Sequence, residues 1–451
     1  MRKVLLLLSL CISSYTLFSQ DDSLLKTFKY RIDRYRAINL NVSGGGQFSE
    51  TKYIPGTSRN HSSAGSFYVA TYTVKSTDKI LLTTEGNISS SFSFNKYDNS
   101  SETNKDRNFS VAPYYSILNK WFSKKTFIEL GADASANFLS TKYNSIAILN
   151  RLKTKQTNYS LALHTGIGKG RLENITDMQN ALWLNKALED VLRLSRPLTA
   201  DELNDLGRTI TKANNTRVLD TRKRTQFILR SVDTYFQEKG LISKTDINYF
   251  VELNDVLFFA FNNYRRAGSE KFIRFTPSIG GFNKEETQFN SISKYEQNPL
   301  IKSALLSIGL NAYKPHNLKH QNNYGASLEL KYISYKSTEK YFTSGVVVNE
   351  IKYNSTIKQA GANLFFEHAI YPNTRTLINF NLQSESGYQD SGFYGFATFT
   401  SSINYFISYR TRVTCALGAG YNKNIYIANQ TLQLLPDGFQ LSANAGISVS
   451  L

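Results

Sequence analysis

The most regular pattern in the sequence is the alternation of apolar and polar residues over its last thirteen positions, 439–451. One face of this segment is wholly apolar and the other is small and polar, which is the period of two of a β-strand. An ordinary strand has about five or six residues, whereas a tilted strand that crosses a bilayer needs about 9–11. The segment is therefore long enough for a membrane strand. Its apolar positions are Phe439, Leu441, Ala443, Ala445, Ile447, Val449 and Leu451.

The same alternation recurs along most of the chain, for example over 128–138, 324–332 and 413–421. We therefore predict a mainly β fold, a transmembrane antiparallel β-barrel of about fourteen strands with an α-helical periplasmic insertion. The predicted strands lie near 36–48, 64–76, 80–97, 107–119, 126–141, 156–170, 271–286, 300–313, 321–337, 348–370, 375–386, 392–407, 411–424 and 438–451.

The predicted connections alternate between long and short, which is typical of bacterial barrels with long outer loops and short periplasmic turns. An even number of strands places both chain termini on the periplasmic side. The longest connection, 171–269, takes the place of a short turn, and this parity predicts that it is periplasmic.

Residues 171–269 show helical rather than strand periodicity. Thr199 to Glu202 forms a capping box that begins a second helix, and further helices are expected near 217–238 and 245–264. The last of these is apolar around much of its circumference, which predicts that it is the most buried. About a hundred residues suffice for a separate core, so we expect barrel and helices to be separable. The first helix carries an apolar stripe of Ala181, Leu184, Leu188, Val191 and Leu192.

The N-terminus has the pattern of a secretory signal, residues 1–19, with Arg2 and Lys3 before an apolar stretch. That stretch is too short for a membrane helix, which argues against an N-terminal anchor. A lipid anchor at Cys11 is also disfavoured, because that cysteine lies inside the apolar stretch. The predicted domains are thus the signal, 20–170 and 270–451 as the two barrel halves, and 171–269 between them. Cys415 is then left alone, which excludes an intramolecular disulfide.

The composition favours a membrane barrel over a soluble β-sandwich, the main alternative for alternating strands. The chain has 28 Tyr and 29 Phe but only 8 Pro. Scarce proline suits a chain that donates to long hydrogen-bonded ladders. Aromatic residues near strand ends suit the two girdles of a membrane barrel; they include 92–94, Tyr332, Tyr335, Tyr371 and 405–406.

The formal net charge of +18 is concentrated outside the helical insertion, which carries 15 Lys/Arg and 13 Asp/Glu. In an exported protein such an excess favours anionic surfaces, so we expect outer-membrane lipids and lipopolysaccharide as partners, and no nucleic acid. The last strand resembles the signal read by the barrel-assembly machinery, another expected partner, although Leu451 replaces the customary aromatic residue.

Candidate catalytic or metal-binding groups are few. The glycines of 166–170 end a predicted strand and lack the strand-to-helix context of a phosphate-binding loop. A hydrolase would need a nucleophile, a base and an orienting group together, and no spacing indicates such a set. We therefore expect no catalysis, no cofactor and no metal site. The five histidines are His164, facing the lumen, His368, at the lipid interface, and His61, His316 and His320, in loops or turns.

Charged residues on the lumen-facing side of the strands are the more informative candidates. Such groups either pair and stiffen the wall or form an acidic ring that favours cations, and the pattern alone leaves both open. The candidates are the carboxylates Glu85, Glu129, Asp133, Glu329 and Glu367, with Arg274 and Lys331 as counter-ions.

The junction between barrel and insertion carries a motif that runs Gly168-Lys169-Gly170-Arg171-Leu172-Glu173, then Thr176-Asp177, then Asn215-x-Arg217-x-x-Asp220-x-Arg222. This motif resembles uncharacterised Bacteroidota-type outer-membrane barrel proteins, whose helical insertion has a Gly-x-Gly-Arg-x-Glu entry. The resemblance implies architecture and location but no activity. Its charged members could form an ion-pair cluster between barrel and helices, or could be solvated charges of little energetic weight. These members are Arg171, Glu173, Asp177, Arg217, Asp220 and Arg222.

Three functions are compatible with this architecture. The leading one is a channel or small-solute transport barrel whose insertion gates the periplasmic mouth or relays solute there. The alternatives are a structural barrel whose helices bind a periplasmic partner, and an outer-membrane enzyme.

Overall fold

A computed structural model describes residues 20–53, 56–98, 103–145, 150–218, 220–259, 265–289, 293–390, 392–408, 411–423 and 438–449. Within these residues a strand lies at each of the fourteen predicted positions, and residues 424 and 450–451 of the last two predictions lie outside them. The strands are β1 Ile32–Tyr53, β2 Gly56–Ser76, β3 Ile80–Asp98, β4 Thr103–Ser123, β5 Thr126–Ser145, β6 Asn150–Asn174, β7 Arg266–Gln288, β8 Ser293–Pro315, β9 His320–Thr343, β10 Val346–Asn373, β11 Thr376–Gln389, β12 Gly392–Ser408, β13 Thr411–Lys423 and β14 Gly438–Val449. The predicted signal, 1–19, lies outside the described residues.

The strands form one antiparallel sheet in which each pairs with its neighbour in sequence, from β1 to β14. The sheet curves strongly, since Arg31, just before β1, reaches Glu173 near the end of β6 at 2.9 Å. This is the fold of a transmembrane β-barrel and confirms the predicted fold class. Among the described residues, no ladder joins β1 to β14.

The two faces of the sheet differ as the alternation predicts. One face exposes apolar side chains, such as Leu40, Ile128, Leu328 and Leu417, each at least half exposed. Such a face suits contact with lipid chains. Cys415 belongs to the same face and is exposed and unpaired, in accord with its interpretation as a small outward residue. None of the described helices is long and apolar enough to cross a membrane.

The strands extend further than predicted at the end opposite the helices. Nearly all of the predicted loop 49–63 belongs to β1 and β2, whose pairing extends as far as Tyr53↔Gly56. The predicted loop 338–347 is likewise a hairpin, closed by Ser344 and Gly345 at positive φ. The prediction of long loops was therefore wrong at these places. In 49–63 polar residues occupy both faces, so alternation ends there although strand pairing continues.

The described residues form five helices at the other end of the sheet, which we call the mouth and which carries the short turns. They are α1 Gln20–Thr27, α2 Thr176–Asp190, α3 Ala200–Asn215, α4 Thr221–Glu238 and α5 Ile247–Phe259. The capping box of α3 is present as predicted, with Thr199 Oγ1 accepting from the Glu202 amide. The α1 helix was not predicted.

The helical core is shared with the rest of the chain. Leu24, Leu25 and Phe28 of the N-terminal segment pack into it, as does Leu318 from a barrel turn. The insertion therefore does not form a complete core by itself, contrary to the expectation.

The expectation that the last helix is the most buried was also wrong. In α5, Ile247 and Val251 are 78% and 51% exposed. The most buried helix is α2, in which polar residues such as Asp177 and Asn180 are buried beside the apolar ones. Hydrophobicity alone misranked the two helices.

Two glycines let β6 and β7 remain paired as they leave the barrel wall. Gly170 and Gly268 have φ values of +100° and +106° on neighbouring strands. A Cβ at Gly170 would lie 2.0 Å from the Ser269 carbonyl oxygen, and one at Gly268 would lie 2.3 Å from that of Arg171. The ladder therefore continues to Asn174↔Arg266, four residues beyond the predicted strand end.

Candidate functional site

The helices, and the segments that join them to the strands, are attached to three separate turns at the mouth. Near β1, Arg31 binds Glu173 at 2.9 Å and Asp78 of the β2–β3 turn at 2.8 Å. At the β10–β11 turn, Arg375 binds Asp255 of α5 at 2.5 Å. Since these turns lie on distant strands, the insertion bridges across the mouth.

The third attachment is Arg265, which is fully buried at the start of β7. Its guanidinium donates to the carbonyl oxygens of Asn317, Leu318 and His320 and to Gln321 Oε1, at 2.6–3.0 Å. It also lies over the Tyr371 ring, 4.8 Å from the centroid. Tyr371 is 4% exposed, so its predicted place in an aromatic girdle was wrong.

Of the predicted junction residues, Arg171 and Glu173 form an ion pair with each other, at 3.0 Å. Arg171 also donates to Ser76 Oγ and to the Thr77 carbonyl oxygen, which ties β6 to the β2–β3 turn. Arg217 is exposed, and the side chain of Arg222 lies outside the described residues. The Asp220 carbonyl oxygen accepts from the Arg224 amide in the first turn of α4.

Asp177 is part of a different arrangement. Its carboxylate is buried in α2 and accepts from Thr211 Oγ1 at 2.7 Å and Asn214 Nδ2 at 2.9 Å, both in α3. Burial raises its pKa from 3.8 to about 6, although these hydrogen bonds favour the charged form.

We predict that Asp177→Asn removes a pH dependence from the stability of the helices. With its raised pKa, the folded protein binds a proton between about pH 6 and 3.8 that the unfolded chain does not. The stabilisation is complete below 3.8, is lost as pH rises through 6, and amounts to roughly 3 kcal/mol. Thermal unfolding followed by circular dichroism at about pH 5 and pH 7.5 captures roughly half of this difference, because at pH 5 the unfolded chain has already lost most of its proton. An equal pH response in the variant would contradict the assignment.

On the lumen-facing side, four charged side chains form a cluster in which Lys120, Glu129 and Glu270 are buried and Arg274 is partly buried. Glu129 binds Arg274 at 2.8 Å and Lys120 at 3.2 Å. Glu270 binds the same two cations, each at 2.7 Å. The sequence indicated Glu129 and Arg274 but not Lys120 or Glu270. Of the two interpretations left open for lumen charges, pairing applies here.

A second lumen group joins three neighbouring strands. Asp133 Oδ2 lies 2.6 Å from His164 Nε2, and His164 Nδ1 lies 3.2 Å from Thr276 Oγ1. This chain has the order of a hydrolase triad, which sequence spacing did not reveal. Thr276 gave no signal because it is one threonine among many.

The remaining lumen candidates are dispersed. Glu367 accepts from Asn323 Nδ2 at 2.7 Å, and Glu329 accepts from Ser327 Oγ at 3.3 Å. Glu85 is exposed on β3, and Lys331 forms no ion pair within the described residues. The part of the chain that the structure describes holds no group of three His, Cys, Asp or Glu placed to bind a metal. His61, expected in a loop, lies within β2.

Between the lumen wall and the helices lies a cavity of about 520 Å³. Its barrel side includes Tyr72, Leu118 and Lys120, and its helix side includes Asp177 and Asn215. Tyr30 links the two sides, because its hydroxyl accepts from Asn215 Nδ2 at 3.0 Å. The cavity therefore connects the lumen cluster with the buried carboxylate of α2.

No protein-family model matches the chain, and no curated protein matches it. Among solved structures, it is similar to the translocator domain of the autotransporter NalP from Neisseria meningitidis, with 8% identity and a TM-score of 0.23 over 100% of this chain and 94% of that one. It is also similar to the toluene transporter TodX of Pseudomonas putida, with 8% identity and a TM-score of 0.30 over 91% of each chain. For the alcaligin outer-membrane receptor FauA of Bordetella pertussis the values are 10% and 0.31, over 93% of this chain and 58% of that one. Such distant likenesses carry no functional argument, and the Bacteroidota-type resemblance stays a prediction.

Proposed function

We propose that this protein is an outer-membrane channel for small polar solutes, with its helical insertion in the periplasm as the gate of the mouth. The observation that carries the proposal is the cavity of about 520 Å³, which is lined jointly by the lumen wall and the helices. A solute that leaves the lumen at this end meets the helices before it meets solvent.

The lumen chemistry supports passage rather than tight binding. Lys120, Glu129, Glu270 and Arg274 neutralise one another, which stiffens the wall near the mouth. Asp133 and Glu85 lie further along the lumen and remain partly or fully exposed. Exposed carboxylates in a lumen favour cations and basic solutes.

The packing of α2 supports a gate that can move. Gln179, Asn180 and Trp183 are buried, and their side chains have polar atoms with no hydrogen-bond partner among the described residues. Each such group costs roughly 1–3 kcal/mol in the docked arrangement. If the helices moved and water reached these groups of α2, part of that cost would be recovered.

We propose that the chain is not an enzyme, despite the Asp133–His164–Thr276 chain. Besides this chain, a hydrolase needs amide donors aimed at the developing oxyanion. The β5–β6 ladder runs unbroken past Asp133 and His164, whereas the β6–β7 ladder is interrupted at 163–164 and 276–277. We assign the three side chains to bracing of the lumen wall.

The gate is tested by reversing the ion pair between α5 and the β10–β11 turn. Arg375→Glu places two carboxylates face to face, because Asp255 is its partner. We expect more frequent open states in planar-lipid recordings of the purified protein. The double variant Asp255→Arg/Arg375→Glu restores opposite charges and is expected to restore the closed state.

Arg196→Glu is the matched control, because Arg196 pairs at 2.7 Å with Glu202 within the insertion. It is expected to leave the recordings unchanged. Equal currents in the wild type, Arg375→Glu and the double variant would refute gating through this contact.

A docking function is the second candidate, and one observation favours it. Ile247, Phe250 and Val251 expose 78%, 42% and 51% of their surfaces on one side of α5. Exposed apolar clusters of this kind mark contact surfaces. A protein that carries no current but binds a periplasmic partner through α5 would fit this candidate instead.

A further inference from the structure

A basic recess lies beside the mouth, beneath the β2–β3 and β4–β5 turns. Its volume is about 780 Å³, and Arg31, Phe122 and Arg171 form part of its lining. It also contains six lysines, namely Lys29, Lys79, Lys124, Lys125, Lys169 and Lys271. All six are exposed.

The charge of this recess is not balanced by the protein. Its two carboxylates, Asp78 and Glu173, are already bound by Arg31, and Glu173 also by Arg171. Within the described chain, none of the six lysines forms an ion pair. Moreover, Lys169 and Lys271 stand directly opposite each other on β6 and β7. Like charges in that position destabilise a sheet unless an anion lies between them.

An apolar hollow adjoins the recess on the outward face of the barrel. It has a volume of about 920 Å³ and is lined by Ile128, Ile167, Ile273, Leu328 and Leu364, all exposed. Small side chains at Ala326 and Ala362 leave its middle open. Lys169 and Lys271 line both the hollow and the recess.

We infer that hollow and recess together form a binding site for one anionic phospholipid, with its phosphate among the lysines and an acyl chain along the hollow. Charge complementarity selects the headgroup, since a basic pocket at membrane depth attracts phosphate. The apolar hollow favours a ligand with an acyl chain over a free anion, because the acyl chain buries apolar surface there. Trp121 borders the hollow and is 41% exposed, as expected of an aromatic residue at the level of the headgroups. Which leaflet supplies the lipid depends on the proposed orientation of the barrel. The binding of the lipid does not depend on it.

The site is tested by native mass spectrometry of the full-length protein in detergent, titrated with phosphatidylglycerol or phosphatidylcholine. We expect one tightly bound phosphatidylglycerol. In Lys169→Gln/Lys271→Gln its affinity falls roughly 30-fold, because each lysine near the surface contributes about 1 kcal/mol. The matched control is Lys142→Gln/Lys153→Gln, a directly opposed lysine pair at the other end of β5 and β6. This control is expected to bind like the wild type.

A second variant tests whether the hollow binds the acyl chain of the lipid. Ala362→Phe fills the hollow without changing charge, and it is expected to weaken phosphatidylglycerol binding while inorganic phosphate binding is unaffected. Equal binding of both lipids, or unaltered phosphatidylglycerol affinity in the double lysine variant, would overturn the inference. Full competition by inorganic phosphate, with no effect of Ala362→Phe, would also overturn it and indicate a free-anion site.

Discussion

A chain that lacks 439–451 is expected not to insert into the membrane. These residues make up nearly all of β14, which pairs with β13 from Thr411↔Val449 to Asn422↔Gly438. Without them, β13 becomes an unpaired edge, and an edge in hydrocarbon leaves a row of backbone groups without partners. We propose that β14 also pairs with β1 to close the barrel, and that the barrel-assembly machinery recognises it.

Arginine substitutions at two neighbouring positions of β14 test which face of the strand contacts lipid. Ala443 pairs with Leu417 on the outward face, and Asn444 pairs with Ala416 on the lumen face. Both positions lie in the middle of β14. Ala443→Arg is expected to cost about 2–4 kcal/mol, as for arginine near the bilayer midplane, whereas Asn444→Arg is expected to cost little.

Membrane fractionation and heat-dependent gel mobility measure both effects. Truncated protein that reaches the membrane and shows the mobility shift of a closed barrel would contradict the role of β14. Equal yields of the two arginine variants would contradict the assignment of its faces.

The elements of the fold could be predicted because each has a local signature. Alternation located all fourteen strands, and the Thr199–Glu202 spacing located the start of α3. The same signature failed at the strand ends away from the helices, as in Ser49 to Lys52, where neither face of β1 needs to be apolar.

The partners within the site could not be predicted, because they depend on how the sheet curves. Lys120 and Glu270 lie on β4 and β7 and are 150 residues apart in sequence, yet their side chains bind at 2.7 Å. Local periodicity predicts whether a side chain faces the lumen or the lipid. It does not predict which other strand that side chain contacts across the lumen. Arg265 likewise gave no signal, since its partners are mainly backbone carbonyl oxygens.

The place of α1 changes how the insertion can be removed. Leu24, Leu25 and Phe28 would lose their partners if only the insertion were replaced. Moreover, β6 and β7 stay paired to Asn174 and Arg266, so a short turn can join them there. The suitable variant therefore omits 20–28 and replaces 175–264 by a short Gly/Asn turn.

Planar-lipid conductance of this variant beside the intact protein shows whether the helices restrict a conducting lumen. A third form that lacks only 20–28 serves as the control for loss of α1. We expect a small or intermittent current for the intact protein and a several-fold larger, steady current for the variant without helices. Gel mobility must first show that each form is a closed barrel. Absence of current through a closed barrel without helices would show that the helices do not restrict a conducting lumen.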